Sequence, residues 1–164
     1  MIDRDATGER PSVVDARLVS VHPELAKLVA RDLAEGVHQQ IVRAVVTRQD
    51  RVLLLRRPAG GARGGEWEFP GGKVEAGDAD LLQALRREVR EETGLRIAEV
   101  TAYLAAHDYT TRDGLLARQH TWSVTATGDR VRLTEHDAYV WASTTADELT
   151  PLDRMMISLR GDLS

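Results

Sequence analysis

One stretch of the sequence, residues 79–93, predicts a helix that is acidic on one face and apolar on the other. Glu88, Glu91 and Glu92 stand at positions i, i+3 and i+4, so their carboxylates project from one face and repel one another. The opposite face carries an apolar stripe that packs the helix against a core, formed by Leu81, Leu82, Leu85 and Val89. Because a packed helix cannot splay its carboxylates apart, the arrangement favours a bound divalent cation.

The residues around this helix suit oxygen-based metal chemistry. Glutamate oxygens are hard ligands of the kind that Mg²⁺ and Mn²⁺ prefer. The chain has no cysteine, which excludes disulfides, thiolate zinc sites and cysteine nucleophiles. Gly71 and Gly72, just upstream, allow the backbone to approach a metal or a phosphate closely. For an isolated E-x-x-E-E pattern, however, a solvated acidic helix face is the alternative interpretation.

Length and composition limit the protein class. The chain has 164 residues, 42% of them hydrophobic, which predicts one globular domain with an adequate core. Its 22 basic and 26 acidic residues give a net charge of −4, which argues against a protein that coats nucleic-acid polymers. The N-terminus is polar and no apolar run approaches the ~18 residues of a membrane span, so we expect a cytoplasmic protein that spans no membrane.

The rest of the pattern alternates strands with a few helices, which predicts a mixed α/β domain. We predict helices at residues 23–35, 79–93 and 152–159, and strands at 41–48, 51–56, 95–106, 118–127 and 138–142. Residues 58–65 are rich in glycine and proline and predict an exposed loop. Residues 1–14 look like a loose leader, and helix 23–35 either packs on the main body or binds a partner.

The motif around the acidic helix resembles that of a known family. Its matching residues are Gly72, Arg87-Glu88-Val89, Glu91-Glu92 and Gly94-Leu95. They resemble the Nudix box, G-x5-E-x7-R-E-U-x-E-E-x-G-U, where U is aliphatic. At ~5–7% usage for each specified residue, six chance matches have odds on the order of 10⁻⁷ per window.

The motif departs from the box in one respect. The arginine stands one residue later than the pattern requires, and the first glutamate is absent. Asp78 and Asp80 are the candidates to replace it, although Asp80 with Gln83 also suits a helix N-cap.

The resemblance implies a fold, a domain division and a metal site. The fold is α/β, a Nudix-type α/β/α sandwich around a mixed β-sheet with an extra N-terminal helix. Residues 1–36 would form the leader and this helix, and residues 37–164 the Nudix hydrolase domain. By the resemblance, Mg²⁺ or Mn²⁺ is held by Glu88, Glu91, Glu92 and the carbonyl of Gly71. Arg87 orients a glutamate and counts with Glu91 among the catalytic residues.

Within the family, the run WEFPGGKVE at residues 67–75 resembles the MutT-like branch, which cleaves nucleoside triphosphates to monophosphate and pyrophosphate. That branch carries a further catalytic or metal-binding glutamate before a late strand, where Glu135 stands in this chain; an ordinary loop carboxylate is the alternative. A polar residue shortly after a C-terminal proline reads the base there, and Asp153 matches it. Its alternative role is a carboxylate at a helix N-terminus.

These matches imply a substrate class. An ionised aspartate only accepts hydrogen bonds, and cytosine and adenine offer an exocyclic amino donor, so CTP or dCTP is favoured, with oxidised dGTP as a close rival. Arg56 and Arg57 resemble paired arginines that approach the substrate. Arg118 shares a strand face with His120 and Trp122 and is a further candidate for the substrate pocket.

Two other functions stay open at this stage. The missing box glutamate and the extra residue are compatible with a non-catalytic Nudix module that senses a nucleotide. A Nudix hydrolase of another nucleoside diphosphate derivative, such as ADP-ribose, is the second. That group usually carries a proline downstream of the box, whereas no proline lies between Pro70 and Pro151. The expected partner is a nucleotide rather than a nucleic-acid polymer or a membrane, and a homodimer is left open.

Overall fold

The computed structural model of the protein describes residues 23–161. The leader predicted over residues 1–14 lies outside the described residues. Within the described range the chain forms three helices and seven strands. They are α1 (Pro23–Ala34), β1 (Gln39–Arg48), β2 (Arg51–Arg56), β3 (Trp67–Glu68), β4 (Gly71–Lys73), α2 (Leu81–Thr93), β5 (Arg96–Thr110), β6 (Leu116–Thr127), β7 (Ala138–Ser143) and α3 (Pro151–Gly161).

The strands form one mixed sheet in the order β3-β2-β1-β6-β5, with β4 paired to β1 and β7 paired to β2. β1 runs parallel to β6, from the pair Gln39–Ala117 to the pair Thr47–Thr125. The other pairings are antiparallel. β1 and β6 are therefore the central strands, which agrees with their long apolar runs.

Helices cover both faces of the sheet. Leu25 and Val29 of α1 pack in one core cluster with Leu85 of α2 and the side chains of alternate β1 residues. On the other face, Met156 and Ile157 of α3 pack in a second cluster. This arrangement confirms the predicted α/β/α sandwich around a mixed sheet with an extra N-terminal helix. None of the helices described between residues 23 and 161 has the length and apolar character of a membrane span.

The predicted elements agree with the structure except where local signals conflict. α2 begins two residues later than predicted because Asp80 is its N-cap and accepts a hydrogen bond from the Gln83 amide. β4 was not predicted, because two glycines rarely indicate a strand. It forms because Gly71 and Gly72 pair with β1. β5 extends to Thr110, farther than predicted, through repeated register shifts against β6.

A buried polar network anchors α1 to the sheet. Asp32 is 1% exposed and accepts hydrogen bonds from Arg118 Nη1 at 3.0 Å, from His120 Nε2 at 2.7 Å and from the Gln40 side chain. Arg118 also donates twice to Asp108 of β5, at 2.6 and 2.8 Å. The helix is thus part of the folded core, since a buried carboxylate is tolerated only with such partners.

Removing the Asp32 carboxylate tests this anchoring. Asp32→Asn leaves the Arg118 charge less compensated in the core, so we expect the free energy of unfolding to fall by about 3 kcal/mol. Glu35→Gln is the matched control, because Glu35 pairs with the same guanidinium from an exposed position and should cost less than about 1 kcal/mol. Urea denaturation measures both; equal small losses would contradict the anchoring role.

Candidate active site

A cleft with a volume of about 300 Å³ opens on the α3 side of the sheet. Strand alternation explains its position: Val42 and Ala44 of β1 face α1 and α2, whereas Arg43 points to the opposite side and lines the cleft. Four basic side chains line it, namely Arg43, Arg57, Arg63 and Lys73. Three acidic ones are Glu68, Glu92 and Glu135. This mixture suits an anionic ligand that binds together with a cation.

Two glycines form the wall of the cleft next to α2. Gly71 has φ +153°, and a Cβ there would overlap the carbonyl oxygen of Val42 and lie 2.9 Å from Arg43 Cα. A Cβ on Gly72 would lie 2.6 Å from the carboxyl carbon of Glu88. The absence of a side chain thus lets Gly71 lie against β1 and lets Gly72 lie against the Glu88 carboxylate of α2. The Gly71 N–H donates a 2.9 Å hydrogen bond to Glu92 Oε2.

Glu92 and Glu88 are carboxylates with too little compensating charge. Burial raises the pKa of Glu92 to about 7, although the Gly71 N–H and Arg43 act in the opposite direction. Burial also raises the pKa of Glu88, against the hydrogen bond from Arg87. Both carboxylates lie against the glycine backbone of the cleft wall, so a cation bound there would stabilise their ionised forms. The donor set is entirely oxygen, which fits a hard divalent ion.

Glu91 lies apart from these two carboxylates. Its side chain is 58% exposed and is directed at Arg87 Nη1, 3.2 Å away, rather than into the cleft. Within residues 23–161, no group of three or more acidic or histidine side chains converges as a ready-made metal cage. The Gly71 carbonyl accepts a 3.1 Å hydrogen bond from Arg43 Nη1. The structure therefore brings Glu88, Glu92 and the two glycines together, and leaves Glu91 outside.

Glu135 stands in the loop before β7 and lines the cleft. The residue before it and the two after it each form a side-chain hydrogen bond. Thr134 Oγ1 donates to the Glu91 carbonyl at 3.0 Å, His136 Nε2 donates to Glu68 at 2.9 Å, and Asp137 accepts from Arg56 Nε at 2.7 Å. Glu135 itself has no hydrogen-bond or ion-pair partner in the described part of the chain. Its carboxylate is thus exposed to the cleft and available to a ligand.

Glu68 is the most strongly ionised carboxylate of the cleft. Burial opposes its charge, but the His136 hydrogen bond and the charges of Arg43 and Arg57 lower its pKa to about 2. Arg43 also donates to the Phe69 carbonyl at 3.1 Å and so braces the segment between β3 and β4. Arg43 and Glu68 were not among the predicted site residues, and from the sequence His136 was only a less favoured competitor of Glu135. The signal for Arg43 was a lone charge inside an apolar strand, residues 41–46.

With this geometry established, comparison with known proteins decides the family. Residues 37–155 match the family profile described as the NUDIX domain, which covers most of the chain. The chain belongs to the Nudix family. It is a Nudix hydrolase, and the predicted resemblance to the MutT-like branch is confirmed by its relatives and structural neighbours.

The relatives share most of the Nudix domain. The CTP pyrophosphohydrolase of Escherichia coli is 40% identical over 104 residues, which are 63% of this chain and 75% of the relative. The 8-oxo-dGTP diphosphatase of Proteus vulgaris is 38% identical over 69 residues, 42% of this chain and 61% of the relative. The solution structure of the E. coli ORF135 protein superimposes with a TM-score of 0.63 at 35% identity, covering 76% of this chain and 89% of that one.

A second solved structure, the MutT NUDIX hydrolase from Burkholderia pseudomallei, has a TM-score of 0.63 at 25% identity. It covers 74% of this chain and 96% of that one. These neighbours share the fold of this chain over about three quarters of its length.

The structure shows what faces the box arginine in place of the first glutamate. Asp78 is 4% exposed and receives two hydrogen bonds from Arg87, at 2.8 and 2.9 Å. Arg87 donates further to Glu88 Oε1 at 2.9 Å. Of the two candidate aspartates, Asp78 therefore faces the box arginine, whereas Asp80 caps the helix.

Of the four predicted substrate-binding residues, only Arg57 lines the cleft in the described part of the chain. Arg57 lines the cleft and pairs with Glu68 at 3.4 Å. Arg56 pairs with Asp137 instead, and its guanidinium lies 5.6 Å from the centre of the Trp67 ring. Asp153 forms a reciprocal cap with Thr150, with N–H to oxygen distances of 2.8 and 3.1 Å, and does not line the cleft.

Arg118 is a correction. It was expected to line the substrate pocket with His120 and Trp122, but the register of β6 against β1 puts these side chains on the face covered by α1. Arg118 is 6% exposed and is occupied by Asp32 and other carboxylates of its network. The cleft lies on the opposite face of the sheet, so Arg118 does not reach it.

The two glycines of the cleft wall allow a direct test. In Gly71→Ala the new methyl meets fixed backbone, so we expect a loss of unfolding free energy above about 3 kcal/mol. In Gly72→Ala it meets the movable end of Glu88, so the loss should stay near about 1 kcal/mol. Gly77→Ala is the control, because nothing lies within 4 Å of its Cβ position. Thermal unfolding that ranks Gly72→Ala below Gly71→Ala in stability would contradict this interpretation.

The low pKa of Glu68 predicts acid sensitivity. A depressed carboxyl pKa contributes stability above the ordinary value of 4.5, and that contribution is lost as the pH falls towards about 2. We expect Glu68→Gln to lower the unfolding free energy by about 3 kcal/mol at neutral pH, with the difference from wild type shrinking near pH 2. Urea denaturation across this pH range measures the difference; a constant difference would show that Glu68 contributes no proton-linked stability.

Proposed function

We propose that this Nudix hydrolase cleaves a nucleoside triphosphate to nucleoside monophosphate and pyrophosphate with Mg²⁺ or Mn²⁺. Nudix hydrolases act on nucleotides and generally need a divalent metal. The observation that carries the proposal is the pair Glu88 and Glu92, held against Gly71 and Gly72 with raised pKa values at the wall of a cleft lined by basic side chains. Such a pair needs a cation to stabilise its ionised state.

The residues proposed to hold the metal are Glu88, Glu91, Glu92 and the Gly71 carbonyl. Glu91 now accepts a hydrogen bond from Arg87, and the Gly71 carbonyl accepts one from Arg43. Each must release its arginine in order to bind the metal. When bound, the cation supplies positive charge that neutralises phosphate oxygens. Arg87 holds Glu88 and Glu91 in position through its fork of donors.

The chain's own side chains would carry the remaining work. Arg57 and Lys73, which both line the cleft, bind phosphate oxygens and stabilise the charge that spreads during phosphoryl transfer. Glu135, which has no partner among residues 23–161, takes the proton from the attacking water. Glu91 acts with it as a catalytic carboxylate. Arg56 is proposed to approach the substrate at the rim, where it forms an exposed pair with Asp137.

For the base, we propose cytosine, as in CTP or dCTP, with oxidised dGTP as the competitor. Two relatives support these choices: one is named a CTP pyrophosphohydrolase and the other an 8-oxo-dGTP diphosphatase. Asp153 is the proposed acceptor for an exocyclic amino group, because an ionised aspartate donates nothing. To do so it must turn from the Thr150 N–H or use its second oxygen. A non-catalytic nucleotide-sensing module is less favoured than a hydrolase, since Asp78 pairs with Arg87 where the missing glutamate would stand.

A nucleotide panel tests the proposal. We expect purified protein with Mg²⁺ or Mn²⁺ to release pyrophosphate and monophosphate, fastest from CTP, dCTP or oxidised dGTP, and EDTA to abolish the activity. Glu92→Gln should lower kcat by about 100-fold, because it removes a carboxylate from the metal site. Glu99→Gln, on an exposed part of β5, is the control and should leave activity unchanged.

Product analysis decides among the alternatives. Release of phosphate instead of pyrophosphate would show that a different phosphoanhydride bond is cleaved. Turnover of ADP-ribose alone would show that the substrate is another nucleoside diphosphate derivative rather than a nucleoside triphosphate. If folded, metal-loaded protein hydrolyses no nucleotide in the panel, the enzymatic proposal is wrong.

A further inference from the structure

The loop that carries Glu135 is held unusually firmly around one free carboxylate. Thr134, His136 and Asp137 each bind a different part of the protein, and the Asp137 N–H also donates to the Arg56 carbonyl at 3.1 Å. Glu135 alone of the four has no partner within residues 23–161 and lines the cleft. The contacts of its neighbours therefore hold Glu135 in position at the cleft.

The three ties differ in their surroundings, and the hydrogen bond from Thr134 to the Glu91 carbonyl is exposed. The Arg56–Asp137 pair is exposed, with side chains 42% and 39% accessible. The His136–Glu68 pair is buried, with side chains 6% and 10% accessible and a 2.9 Å contact. A charge-assisted hydrogen bond is stronger and more rigid where water is excluded, whereas an exposed ion pair contributes little. The buried pair is thus the tie that fixes the loop.

The buried pair is retained at a cost to stability. His136 Nδ1 is buried and has no hydrogen-bond partner in the described part of the chain. An unpaired buried acceptor costs about 1–3 kcal/mol, and a packed apolar pair is often at least as stable as a buried ionic one. Because Nδ1 is inaccessible, His136 does not contact a ligand through it. These facts point to a positional role rather than to direct chemistry.

Glu68 joins the loop to the rest of the site. The same carboxylate lies 3.4 Å from Arg57 and 3.6 Å from Arg43, and Arg43 binds the Gly71 carbonyl at 3.1 Å. One buried side chain thereby links the Glu135 loop, a basic residue of the cleft and the glycine wall.

We infer that Glu68 and His136 form a positioning pair that holds Glu135 at a set distance from Gly71 and Glu92. The inference rests on the proposed function, in which Glu135 accepts a proton from water. Misplacement of a reacting group by about 1 Å costs up to about 100-fold in rate. Loss of His136 should therefore lower kcat by about 10–100-fold, with little change in KM, because Glu68 still pairs with Arg57 and Arg43 and the basic side chains stay in place.

A double-mutant cycle separates positioning from general stability. His136→Ala should lower kcat in the wild-type background but have no further effect in Glu135→Gln, since it acts through Glu135. His136→Gln can still donate to Glu68 and should restore much of the rate. Asp137→Ala removes the exposed tie beside Glu135 and is the matched control, with less than about a 3-fold effect. An equal loss from His136→Ala in both backgrounds would overturn the inference.

Hydrogen exchange gives a readout that does not depend on activity. His136→Ala, or Glu68→Gln if the first variant fails to fold, should speed amide exchange at residues 134–137, whereas Asp137→Ala should change it much less. Unchanged exchange in a folded variant would overturn the inference even if no nucleotide is hydrolysed. If exchange speeds up but the wild type is inactive, the pair holds the loop and the proposed function is wrong instead.

Discussion

The close approach of the Gly71–Gly72 backbone to the acidic helix is the constraint on which the site depends. α2 packs on one face of the sheet, while the cleft opens on the other. Glu92 lines the cleft and the Glu88 carboxylate lies against Gly72, because β4 has no side chains at these two positions. A Cβ on Gly72 would meet the Glu88 carboxylate, and one on Gly71 would meet the β1 backbone, so the positions of the acidic side chains depend on the glycine backbone.

The pKa values of the cleft glutamates are set by the groups that surround each carboxylate, since the residue type is the same. Glu68 and Glu92 line the same cleft, yet the pKa of the first is about 2 and that of the second is about 7. Both are buried, but Glu68 accepts a hydrogen bond from His136 and lies beside two arginines, whereas Glu92 accepts one from a backbone N–H and interacts with Arg43 and His136 only through their charges. One carboxylate is therefore a fixed structural anion and the other is left in need of a cation. The net charge of −4 says nothing about this division.

The N-terminal helix contributes to the domain although the family match begins only at residue 37. Its Asp32 is buried with Arg118, and Arg118 bridges to Asp108 on β5. A residue that looks like a basic substrate contact is thus part of a core network. The network lies on the face of the sheet that α1 covers, opposite the cleft. It therefore stabilises the pairing of β5 with β6 but contributes no side chain to the site.

Local spacing in the sequence predicted the acidic helix, a mixed α/β domain and a cap role for Asp80, because helix periodicity and capping depend on residues within a few positions of one another. The resemblance carried by the box residues supplied the family and its sandwich fold. Only the tertiary structure decided that Asp78 faces Arg87, that Glu91 turns outward, and that Arg118 points away from the cleft. It also brought Arg43, Glu68 and His136 together. These outcomes depend on strand register and on charges supplied by distant segments, which no local pattern contains.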